Sequence, residues 1–73
     1  MGNYEFTVVF EQDEDGRFLA ICPALQGCYS EGETEEVARA NIREAIQAHV
    51  ESRRKHGDPI YPEVLSEKIV VAV

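Results

Sequence analysis

Four residues have the types that hold a metal or attack a carbon: Cys22, Cys28, His49 and His56. Structural zinc sites use pairs spaced C-x2–4-C and H-x3–5-H. Here the spacings are C-x5-C and H-x6-H. Two helical histidines seven apart share a face, yet they lie ~10 Å apart along the axis, too far to hold one ion. The C-x-x-C pair of a redox site is absent. A cysteine nucleophile needs a positioned base, and neither histidine is near in sequence. The thiols are read as reduced and packed, with a Cys22–Cys28 bridge as the alternative.

The carboxylates are the other candidates. Eight of the fourteen acids fall in two short segments: Glu11, Asp13, Glu14, Asp15, and then Glu31, Glu33, Glu35, Glu36. Glu11, Asp13, Asp15 and Gly16 echo part of an EF-hand loop, but its twelfth position is Cys22 rather than a bidentate Glu, and the flanks read as strands. Exposed turns also lack the burial that makes a carboxyl a general acid or base. No glycine-rich phosphate loop, G-x-S-x-G elbow or H-E-x-x-H is present. The basic run Arg53, Arg54, Lys55, His56 suits a helix C-terminus better than a nucleic acid. The expectation is a protein that is not an enzyme and takes no cofactor and no metal. Its net charge of −7 opposes phosphate backbones and attracts cationic proteins. The candidate partner-binding residues are therefore Glu11, Asp13, Glu14, Asp15, Glu31 and Glu33, the alternative being solvated turns that maintain solubility.

The elements that must position these residues follow from periodicity. Tyr4–Gln12 alternates, with Tyr4, Phe6, Val8 and Phe10 on one face, and predicts a strand. Asp13–Gly16 is a turn whose glycine can take positive φ. Arg17–Cys22 is apolar at both parities, which marks a central strand. Pro23 ends it, Gly27 bends the loop, and Cys28–Gly32 predicts a third strand. Thr34 is the expected N-cap of a helix from Glu35 to about Lys55, with Ala38, Ile42, Ala45, Ile46 and His49 as its buried stripe, widened by Val37 and Val50. Gly57 suits the position after the helix. Asp58–Ser66, with two prolines, is a connector, and Glu67–Val73 predicts a final strand.

The expected fold is α+β, β-β-β-α-β. An antiparallel meander is followed by one helix, and a C-terminal strand lies parallel to the first, in sheet order 3-2-1-4. One helix covers one sheet face, and a chain of 73 residues forms a single small domain of modest stability alone. A dimer or higher homo-oligomer is therefore expected. No apolar run approaches the roughly 18 residues of a membrane span. The start MGNYEF has neither the basic nor the apolar region of a secretory signal, and Phe6 breaks a myristoylation motif. A cytoplasmic protein is expected.

The ordered combination of the D-E-D-G turn, C-P-A-L-Q-G-C and N-I-R-E-A-I, within about Tyr4 to Ser52, resembles the HicB-type antitoxin domain. That resemblance implies a partial RNase H-like fold without nuclease activity, usually dimeric. It implies an antitoxin that neutralises a small basic HicA-type mRNA-cleaving toxin by direct binding. The motif residues would be Gly16, Cys22, Pro23, Gly27, Cys28 and Asn41, the asparagine amide holding a neighbouring loop. Full-length members often add a C-terminal DNA-binding domain; the sequence ends at Val73 without such a segment, so direct nucleic-acid binding is not expected. A toxin-free regulatory homodimer, with or without a small ligand, is the competing reading. An RNase H-like metal site is disfavoured, because Glu5 and Glu11 lie about 20 Å apart on one strand.

Overall fold

The computed structural model describes residues 4–61 and 63–72. Three strands, β1 (Val9–Gln12), β2 (Phe18–Ile21) and β3 (Tyr29–Gly32), precede one helix, α1 (Glu35–His56). The strands form an antiparallel sheet of order β1-β2-β3. Its register aligns Val9 with Ile21 and Tyr29, and Glu11 with Leu19 and Glu31.

β1 is shorter than the expected Tyr4–Gln12. Its partner ends at Ile21, because Pro23 has no N–H and the chain turns away there, so residues before Val9 run past the end of β2. Their side chains still follow the strand period, and Phe6, Val8 and Phe10 pack half-buried on the core. That core is Ala20, Cys22, Leu25, Cys28, Ala38 and Ile42. Two sequence motifs supply most of it. In CPALQGC the backbone closes on itself: Cys22 N–H donates to the Cys28 carbonyl (2.9 Å), and Cys28 N–H to that of Leu25 (3.0 Å). Leu25 is thereby held inward as a plug, with Gly27 at φ 78° making the return.

Thr34 caps α1 through its hydroxyl, which accepts from Val37 N–H at 3.2 Å. Glu35 and Glu36 occupy the first turn and Arg53, Arg54, Lys55 and His56 the last, each sign matched to the helix dipole. Gly57 closes the helix in the left-handed region at φ 73°. α1 packs chiefly on β3 and then on β2. The approach to β3 is close: a Cβ on Gly32 would stand 2.6 Å from Ala38 N and 2.9 Å from Val37 C.

The expected fourth strand is not formed, and this corrects the β-β-β-α-β order and the 3-2-1-4 sheet. Among the described residues after Gly57 there is no strand (Val73 lies outside them), and the sheet ends at β1. The placement of the helix supplies the reason. α1 lies over β3 and β2, so a strand beyond β1 would have little cover on either face. The chain after Gly57 is instead pinned at Glu63, whose carboxylate accepts from Thr7 N–H (2.8 Å) and Thr7 Oγ1 (2.5 Å).

Candidate functional site

The sheet has an inner face against α1 and an outer face toward solvent. Since Ala20 is fully buried, Leu19 and Ile21 point outward, and the register places Val9 and Tyr29 beside Ile21 and Glu11 and Glu31 beside Leu19. Two rows result. Val9, Ile21 and Tyr29 form an apolar row, with Tyr29 67% exposed. Glu11, Leu19 and Glu31 form the next, with the two carboxylates one strand either side of Leu19, or about 10 Å apart. Beyond them Arg17 reaches across to Glu31 (3.4 Å) and Glu33 (4.0 Å), all three exposed.

The β1–β2 hairpin lies at the same end. Its turn is organised by Asp13: one carboxylate oxygen accepts from Asp15 N–H (3.0 Å) and Arg17 N–H (2.9 Å). Gly16 takes φ 85°, and its carbonyl accepts from the Gln12 amide at 3.2 Å. Asp13 is thus committed to the turn, which leaves Glu14 and Asp15 facing water. The pairing of Gln12 with Phe18 and of Phe18 with Gly32 brings the ends of β1 and β3 together with the turn. All six candidate partner-binding residues therefore share one end of the sheet, and the helix start adds Glu35 and Glu36. Only Arg17 and Arg39 make ion pairs with these acids among the described residues, Arg39 with Glu35 at 3.0 Å.

The motif residues lie on the other side of the sheet or in its loops. Cys22 and Cys28 are buried free thiols. Burial pushes both thiols up in pKa, and for Cys28 the neighbouring Cys22 adds to that. Inert core packing follows from such an environment, since the thiolate is the reactive form. Asn41 donates from its side-chain amide to the Glu31 carbonyl at 2.9 Å, which ties α1 to the strand carrying the acidic row. Pro23 is exposed at the loop entrance.

Sequence reasoning singled out the acids and, through the two-faced apolarity of β2, Leu19 and Ile21, but it missed Val9 and Tyr29 beside them and Arg17 among the acids. Glu63 carried no signal, because its partner is 56 residues away. Hydrogen bonding to Thr7 holds its carboxyl below the usual range. Among the described residues no group of three or more His, Cys, Asp or Glu converges as a metal site. No helix among them is long and apolar enough to cross a membrane.

The described chain is a small α+β domain whose outer sheet face carries an exposed apolar strip bordered by carboxylates. Comparison with known proteins gives the family. Residues 6–70 match the model described as the HicB-like antitoxin of bacterial toxin–antitoxin systems. The chain is 43% identical over 67 residues to a UPF0150 protein of Thermoplasma acidophilum, covering 92% of this chain and 96% of the relative. It is also 43% identical over 65 residues to a UPF0150 protein of Synechocystis, covering 89% and 82%. The chain belongs to the HicB-like antitoxin family. No solved structure matches it significantly.

Proposed function

We propose that this chain neutralises a small basic HicA-type mRNA-cleaving toxin by binding it directly, in the cytoplasm and without catalysis of its own. The observation that carries this reading is the convergence of Glu11, Asp13, Glu14, Asp15, Glu31 and Glu33 at one end of the sheet, beside Val9, Leu19, Ile21 and Tyr29. The carboxylates steer a cationic partner into place, and the apolar row supplies a desolvated contact once it arrives. Asp13 shapes the hairpin, and the other five acids face the partner. The net charge of −7 argues against a nucleic-acid target for this domain.

A small basic protein encoded in the adjacent reading frame is the expected partner, and its purified form supplies the test. Binding should weaken as salt rises from low to physiological strength. The double variant Glu11→Lys, Glu31→Lys should slow association by at least about tenfold while its circular dichroism stays unchanged. Binding that ignores both salt and charge reversal would overturn the assignment of this face.

The competing reading, a toxin-free homodimer, is supported by a separate observation. Val64, Leu65, Ile69, Val70 and Val71 are all at least 70% exposed. Self-association is compatible with either role, because the acidic end and this segment are different surfaces. Absence of any small basic neighbour in the genome would favour the toxin-free form.

A further inference from the structure

The helix covers the inner sheet face unevenly. It sits over β3 and β2, and beside it the inner side chains of β1 and the preceding residues line an open groove of about 370 Å³. Its floor is Tyr4, Phe6, Val8 and Phe10, and its wall is Ile42 and Ile46. Apart from Ile42, these side chains are only partly buried or exposed.

The same chain carries an apolar segment with no seat of its own. Val64, Leu65, Ile69, Val70 and Val71 are between 70% and 97% exposed. The run IVVA is among the strongest strand-forming stretches in the sequence. The root of the segment is fixed by the Glu63–Thr7 bonds, and its first residues, Val64 to Ser66, stand off from Glu5–Thr7 across a gap of about 580 Å³. A cradle and an apolar strand-former therefore coexist on one chain without satisfying each other.

We propose that the groove between β1 and α1 receives residues 64–72 of a second copy of this chain, and gives its own segment to that copy in return. The dimensions agree. The floor from Tyr4 to Phe10 is about 20 Å long and the segment about 27 Å at extended spacing, so the floor seats most of the segment with its ends overhanging. Reciprocal exchange fills two grooves at once, as a two-fold axis requires, and doubles the area toward that of a stable dimer. The rim carries Arg43 and Gln47, donors that suit backbone carbonyls and the carboxylate of Glu67, while Arg39 is already paired with Glu35 and lies over the Phe10 ring at the groove's end. The Arg43 charge also offsets part of the repulsion between two acidic chains. This proposal rests on the self-association reading and not on the toxin, which is assigned to the opposite sheet face.

Sedimentation of the full chain, with isotope-filtered NMR on an equal mixture of labelled and unlabelled chains, tests it. The expected result is a dimer whose filtered spectrum shows contacts between Val70 or Val71 methyls and the Phe6 or Phe10 rings of the other copy. The variant Ile69→Asp, Val71→Asp alters exposed residues only, so its helical circular dichroism should persist. Its dimer dissociation constant should rise at least about a hundredfold, since each added charge must be desolvated in the groove. A single chain at all concentrations overturns the proposal. So does a dimer that survives the double substitution, or ring–methyl contacts found only within one copy. None of these outcomes bears on toxin binding, which the charge-reversed outer face reports separately.

Discussion

Replacing Gly32 by Ala adds one methyl group at the tightest point of the fold. Its Cβ would stand 2.6 Å from Ala38 N, 2.8 Å from Val37 Cγ1 and 2.9 Å from Val37 C. Ordinary contact begins near 3.4 Å, so the overlap with backbone is several tenths of an ångström. The Val37 methyl can rotate aside, but the two backbone atoms can retreat only if the first turn of α1 lifts off β3. Overpacking of this kind costs about 1–3 kcal/mol. Unfolding entropy for 73 residues comes to about 150 cal/mol/K, so a loss of about 2 kcal/mol lowers Tm by about 13 °C. Gly57→Ala is the control: nothing lies within 4 Å of its Cβ, and only the left-handed φ of 73° opposes the change, at a cost of about 1 kcal/mol. Calorimetry at one fixed protein concentration should rank the melting points wild type, Gly57→Ala, Gly32→Ala from high to low. A Gly32→Ala protein melting within about 2 °C of wild type would refute the close-packing argument.

Three further outcomes are expected. Asn41→Ala removes the amide that satisfies the Glu31 carbonyl and should cost about 1 kcal/mol by chemical denaturation; unchanged stability would show that the tie is dispensable. Glu63 has a depressed carboxyl pKa in the folded chain, so its contribution is present above the unfolded value and is lost as pH falls through the folded one. The Thr7 amide resonance should titrate in that acidic window, and in Glu63→Gln it should not. Cys22 and Cys28 have raised pKa values, so their contribution is full below the unfolded thiol value of about 8.5 and is lost as pH rises through the folded one. Alkylation at mildly alkaline pH should run at least about tenfold slower in the native protein than in urea, and equal rates would contradict the burial.

The local elements were legible because each is set by neighbours in sequence. Thr34 sits before two glutamates, Gly57 follows the run Arg53, Arg54, Lys55, His56, and Pro23 stops a strand, so caps and boundaries fell within a residue or so for β2, β3 and α1. β1 was overdrawn by five residues because periodicity reports which way side chains face, not whether a partner strand is there to pair. The last strand failed for a related reason. Apolar strand-forming residues in 67–73 say that the segment wants burial, but where a surface waits for it depends on how α1 lies across the sheet. That placement is governed by the missing side chain of Gly32, which a composition-based reading passes over. The gathering of the acids depended on register, which two tight connections set and no single motif displays.

The distribution of charge along α1 has a consequence for encounters in solution. The helix is about 33 Å long, its start adjoins nearly all the clustered carboxylates, and its finish carries Arg53, Arg54 and Lys55. The molecule is therefore electrically polar end to end, beyond being acidic on average. In the field of an approaching cation-rich body it rotates before it touches, presenting the hairpin first and trailing the guanidinium end behind. A productive collision then needs less orientational luck than two patches of this size would otherwise require, and that advantage disappears when counterions shorten the reach of the field.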